Sequence, residues 1–138
     1  MMAAWAAKYV GIPFKDGGRD AEGLDCYGLL WRIYQDEFHL AIPSYAGAYV
    51  SAHERDEVAA LLANRIPGDA WIPVLGVPQA GDAVVFRILS APWHVGVMVS
   101  AADFLHVEQA QGVAAIERLD HWRWARRRHA VYRHPRLA

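Results

Sequence analysis

The sequence predicts an α+β fold, with N-terminal helices packed on an antiparallel β-sheet of about five strands. Two observations predict it. Apolar residues recur at helical spacing in the first half of the chain, and strand-like runs follow one another as a meander in the second. A third sets the scale: 138 residues, 54% hydrophobic and 21% charged, make one folded domain spanning 1–138. No internal repeat, linker or low-complexity segment divides it.

Residues 3–10 read as a short helix that stops at Gly11-Ile12-Pro13. Residues 14–25 form a glycine-rich loop ending in Asp25, which suits an N-cap. Leu29, Leu30, Ile33, Tyr34 and Phe38 then give a helix over 26–38. The Leu40–Tyr49 stretch is irregular. Ser51 and Glu54 have capping-box spacing, and Val58, Leu61 and Leu62 supply the stripe of another helix, which ends before Pro67-Gly68. Pro78-Gln79-Ala80-Gly81 turns into a strand at 82–88. Further strands are expected at 94–99, 104–107 and 112–118, and a fifth at 130–133 after a short Trp-rich helix.

Register follows from the apolar pattern. Val95, Val97 and Val99 alternate with His94, Gly96 and Met98, and Leu105 and Val107 alternate with Phe104 and His106. With Ser100-Ala101-Ala102 as the hairpin loop, residue 96 faces 106 and all five aliphatics share one face. His94 and His106 then become diagonal neighbours on the other. A slip of one residue would move His106 to the valine face.

Cys26 is the single cysteine, so no internal disulfide forms, and no Cys/His spacing resembles a structural zinc site. A lone thiol is commonly an inert core residue. Here it stands at a helix start, where partial positive charge favours thiolate. A helix packed on the histidine face of the sheet would present Cys26 to His94. That is the layout of a cysteine nucleophile with an imidazole base and a third polar group to orient it.

The motifs together resemble the NlpC/P60 family of cell-wall peptidases. Tyr9-Val10-Gly11-Ile12-Pro13-Phe14, Gly17-Gly18 and Asp25-Cys26-Tyr27-Gly28-Leu29 are similar to its opening. Pro78-Gln79-Ala80-Gly81-Asp82 resembles its Pro-x-x-Gly-Asp motif, and His94-Val95-Gly96-Val97 its His-Val-Gly-Ile motif. The resemblance implies a minimal papain-like fold and hydrolysis of peptidoglycan stem peptides, often between γ-D-glutamate and a diamino acid, with no metal or organic cofactor. It implies Cys26 as nucleophile, His94 as base and His106 as orienter. It further implies that Asp25 receives the free amine of a stem L-Ala.

Two positions depart from the family pattern. Tyr27 stands where Ser is usual, which resembles the subset carried at the tail tips of phages and gene transfer agents; Pro43-Ser44-Tyr45 is similar to that subset too. Phe14 stands where a Tyr hydroxyl often assists the oxyanion or substrate, and Tyr27 or another residue would replace that contact. Tyr27, at the helix start, either lines the substrate groove or covers the core.

A net charge of -1 argues against a general nucleic-acid binder. No run is long enough to span a membrane. The start lacks the pattern of a signal peptide, which fits a component made in the bacterial cytoplasm and carried in a virion tail to the periplasmic cell wall. The expected partners are a peptidoglycan stem peptide and other tail-tip or hub proteins. Two other functions stay open: a structural tail-tip component with a minor or lost catalytic role, and a papain-like amidase or acyltransferase with another substrate. The basic run containing Arg123, Arg126, Arg127, Arg128 and Arg133 reads as a solvated helix and edge strand.

Overall fold

The computed structural model describes residues 2–42, 71–88 and 91–138. The expected helix after Ser51, and Pro43-Ser44-Tyr45, lie outside the described residues. The chain opens with a 3₁₀ turn at Ala6–Tyr9, shorter than the helix expected there. The glycine-rich loop holds a two-stranded hairpin, β1 (Arg19–Asp20) and β2 (Gly23–Leu24). Helix α1 (Cys26–Ile33) follows, and Tyr34–Phe38 continues it as a π-turn, closed by His39 in the left-handed region at φ 54°. No helix among the described residues is long and apolar enough to cross a membrane.

The main sheet has six strands: β3 (Ile72–Pro73), β4 (Ala83–Ile88), β5 (Ala91–Met98), β6 (Asp103–His106), β7 (Ala115–Arg118) and β8 (Arg128–Arg133). Their spatial order is β3-β8-β4-β5-β6-β7, with every pair antiparallel. Helix α2 (Trp122–Ala125) lies between β7 and β8. The five expected strands are all present. The sixth, β3, has two exposed residues and no alternation, so it carries no sequence signal.

Alternation divides the strands between two cores. Ala83, Val85, Val95, Val97, Val99, Leu105 and Val107 pack with Leu29, Leu30, Ile33 and Tyr34 of the helical segment. Val84, Phe86, Met98, Phe104 and Val131 pack on the opposite face with Leu119 and Trp124. The helix therefore covers the valine face, not the histidine face as expected. Its aliphatic stripe matches the valines, and each fully buried side chain stabilises the pairing by about 1.5–3 kcal/mol. Aromatic residues from β4, β6 and α2 seal the other face instead.

Two polar ties position these layers. Tyr34 donates its hydroxyl to the Gly81 carbonyl at 2.5 Å, joining the end of α1 to the start of β4. Asp82 is fully buried, accepts two bonds of 2.9 Å from the Arg133 guanidinium, and takes the Gln79 amide at 2.9 Å. A buried carboxylate is tolerated because every bond it needs is made.

Candidate active site

Cys26 is the first residue of α1, and the loop before it is built to hold it there. Asp25 caps the helix by accepting the Gly28 amide at 2.7 Å. Its other oxygen takes the Gly17 amide at 3.0 Å, and the Arg19 guanidinium pairs with the capping oxygen at 2.8 Å. Asp25 is buried, so loop, guanidinium and helix start are fixed as one unit. The packing leaves no room for a side chain at residue 28: a Cβ on Gly28 would lie 2.2 Å from the Gly18 carbonyl oxygen and 2.8 Å from the Arg19 guanidinium.

The sulfur meets the sheet where two strands part. Paired residues of β5 and β6 are Val97 with Leu105 and Met98 with Phe104. Met98 donates its amide to Asp82 on the β4 side, and Val99 donates to Asp103 on the β6 side. By the same alternation the Val95 amide points to the β6 side. The ladder no longer continues there, and that amide hydrogen-bonds Cys26. Cys26 thus approaches from the helix face and touches the main chain one residue from His94.

The expectation that a helix start yields a thiolate is reversed. Burial pushes the Cys26 thiol up, and the Asp25 carboxylate adds to this, taking it to about 12. Amides of Val95 and Tyr27 and the Arg19 charge pull the other way without balancing them. The resting side chain is a neutral thiol in a half-buried residue.

The register expected for β5 and β6 is the one observed, and it brings the two imidazoles together. His94 Nε2 and His106 Nδ1 are 2.9 Å apart, both rings being buried. Gly96 permits this, since a Cβ there would sit 2.9 Å from the Phe104 ring and 3.4 Å from His106 Cβ. Trp124 stacks on His94 with centroids 5.8 Å apart and meets His106 edge-on at 4.8 Å. Phe86 and Phe104 complete the enclosure, at 5.8 Å from His94 and 4.8 Å from His106.

Glu117 was not singled out from sequence. Its Oε2 lies 2.5 Å from His106 Nε2. In the β6–β7 hairpin Phe104 faces Glu117 and His106 faces Ala115, so the acid is a diagonal neighbour of the imidazole. Pairing the expected strand at 112–118 with 104–107 could have found it. Burial pushes the Glu117 carboxyl up, but Trp124, His106 and Arg123 together bring it below its ordinary range. The Trp124 contribution comes from an indole N–H that falls short of strict hydrogen-bond geometry. His106 is held below the usual imidazole value: burial outweighs the opposing pull of Glu117 and Glu108, and Arg123 acts with it.

The remaining predicted residues are placed as follows. Tyr27 does not line an open groove; its ring is buried in the helix-face core with the Arg19 guanidinium 5.7 Å from its centroid. Phe14 is half-buried against the same core, with its amide bonded to the Gly112 carbonyl at 2.8 Å. Asp25 has both oxygens engaged within the protein. His134 is buried against Tyr34 and Trp71. Among the described residues no group of three His, Cys, Asp or Glu side chains is placed to hold a metal ion.

Comparison with known proteins agrees with this architecture. The chain is 26% identical over 107 residues to the murein DD-endopeptidase MepS/murein LD-carboxypeptidase of Escherichia coli K12, covering 78% of this chain and 48% of that protein. It is 27% identical over 102 residues to a probable peptidoglycan endopeptidase, LytE, of Bacillus subtilis, covering 73% of this chain and 25% of LytE. The chain thus spans half or less of the length of these relatives. Its fold matches the NlpC/p60 domain of the peptidoglycan hydrolase SagA, with a TM-score of 0.64 at 19% identity over 94% of this chain and 93% of that one. It also matches an NlpC/P60 family protein from Bacillus cereus, with a TM-score of 0.70 at 17% identity over 93% of this chain and 37% of that one. The sequence profile of the NlpC/P60 family fits residues 11–133, nearly the whole chain, and the protein belongs to that family.

Proposed function

We propose that this protein is a cysteine peptidase that cuts the stem peptides of peptidoglycan. The observation that carries the reading is the meeting of Cys26 with the Val95 amide, one residue from an imidazole pair held at 2.9 Å. Cys26 attacks the scissile carbonyl carbon, and His94 takes the thiol proton. A thiol pushed up to about 12 is not ionised at neutral pH, so proton transfer accompanies attack. Backbone amides at the start of α1 stabilise the oxyanion. His94 returns the proton to the leaving amine as the C–N bond breaks. Water, deprotonated by His94, then cleaves the thioester and frees Cys26. His106 orients His94.

The bond we assign is the one between γ-D-glutamate and the diamino acid. We further assign the protein to a phage-like tail tip, from which it acts on the periplasmic wall beside other tail or hub proteins. Tyr27 in place of Ser supports this assignment, as does Pro43-Ser44-Tyr45. Incubation with defined muropeptides, read by mass spectrometry, tests activity, bond and substrate together. We expect products from the wild-type chain and none from a folded Cys26→Ala variant. Equal turnover by both would end the peptidase reading, and acyl-transfer products would favour the acyltransferase.

A second reading, a structural tail component, is favoured by the raised thiol pKa and by the missing hydroxyl at Phe14. Particles carrying Cys26→Ala would then deliver DNA normally, whereas a delivery defect supports the peptidase.

A further inference from the structure

We propose that Glu117 is the positioning residue of this site. Its carboxylate holds the Nε2 proton of His106, and thereby sets the protonation pattern that makes Nδ1 of His94 the basic nitrogen. The kinetic consequence rests on the peptidase reading; the protonation pattern does not.

The inference starts from the order of contacts, Glu117 Oε2 to His106 Nε2 at 2.5 Å and His106 Nδ1 to His94 Nε2 at 2.9 Å. An ionised carboxylate only accepts, so His106 must donate from Nε2. A neutral imidazole with its proton on Nε2 offers a lone pair at Nδ1. The proton of the His94–His106 bond then belongs to His94 Nε2, and the lone pair of a neutral His94 is on Nδ1. One carboxylate on an edge strand thus decides the tautomer of a ring two hydrogen bonds away.

The surroundings make this ordering strict. His106 is fully buried and His94 nearly so, under Trp124, Phe86 and Phe104, so solvent does not compete for the ring nitrogens. Glu117 keeps partial contact with solvent, its side chain being 24% exposed, which helps it remain charged. The depressed carboxyl of Glu117 and the depressed imidazole of His106 both favour the required charge states. Other charged groups around His106 are Glu108 and Arg123, and these pair with each other at 3.0 Å. Glu117 is the carboxylate that touches the ring.

Without Glu117, the His106 proton can sit on either nitrogen. When it sits on Nδ1, His94 Nε2 must accept, the His94 proton shifts to Nδ1, and the base is lost. The test uses the full chain, Glu117→Ala and Glu117→Gln, whose amide oxygen can still accept from His106. ¹⁵N NMR of the imidazoles reads the tautomers, iodoacetamide reads the reactivity of the single thiol, and muropeptide cleavage reads turnover.

In the wild type we expect protons on Nε2 of both rings. In Glu117→Ala we expect a mixed tautomer, alkylation about tenfold slower at neutral pH, and a kcat lowered 10- to 100-fold with KM unchanged. Glu117→Gln should recover most of the wild-type tautomer. A His106 protonated on Nδ1 in the wild type would overturn the proposal even if Glu117→Ala did not fold. So would a folded Glu117→Ala with unaltered tautomers and alkylation. If the wild type cleaves no muropeptide while the tautomers behave as stated, the peptidase reading fails and this one stands.

Discussion

The two faces of the central sheet are made by the same strands and held by different physics. On the helix face, valines and leucines meet Leu29, Leu30 and Ile33, and area removed from water does the work without regard to direction. On the other face, Phe86, Phe104 and Trp124 enclose two imidazoles joined by a directional hydrogen bond. The first face sets how stable the chain is. The second holds the paired imidazoles. A strand offers both because successive side chains point opposite ways.

Substitutions should break this division in order of effect. His94→Ala removes the proposed base and should lower muropeptide turnover by ~10⁴-fold or more, with melting temperature nearly retained if the aromatic enclosure holds. Leu30→Ala, on the helix face, should cost about 2–5 kcal/mol in denaturant unfolding. The turnover of each folded molecule should not change. A change in turnover would mean that the packing under α1 also sets the position of Cys26 at its first residue. The smallest effect is the acid sensitivity contributed by the imidazole face. His106 sits below its ordinary value, so below about pH 6.5 the unfolded chain takes up a proton that the folded chain refuses. Stability is full above that pH and falls as pH drops towards the folded value. Glu117, also depressed, adds a second loss as pH falls below its ordinary 4.5. Glu37 and Asp120 are depressed as well, so thermal melts against pH should show a larger second loss in the wild type than in Glu117→Gln.

Sequence pattern together with the Ser100-Ala101-Ala102 loop was enough for the β5–β6 register, because a one-residue slip would move His106 to the valine face. It did not reveal which face α1 would cover. Phe86, Phe104 and Trp124 come from three separate segments, and only folding makes them a second core. Nor did it foresee the thiol's protonation, since helix position is local and burial is tertiary. Asp25 could be read as a cap from its place before the helix. That the cap would occupy both oxygens depended on Gly17 and Arg19 folding back over it. Glu117 was missed because Ala115-Ile116-Glu117-Arg118 alternates weakly, and its place opposite Phe104 emerges only from the β6–β7 pairing.

The parting of β5 and β6 beyond Val97 and Leu105 sets regularity against purpose. Zipping the strands on by one more pair would join Val95 to Val107 and gain about 1 kcal/mol per backbone hydrogen bond. The same repair would take the Val95 amide away from the sulfur and so undo the contact between the thiol and this strand. A more perfect sheet would therefore be a poorer protein, and changes that stiffen this hairpin should raise stability as they silence the thiol.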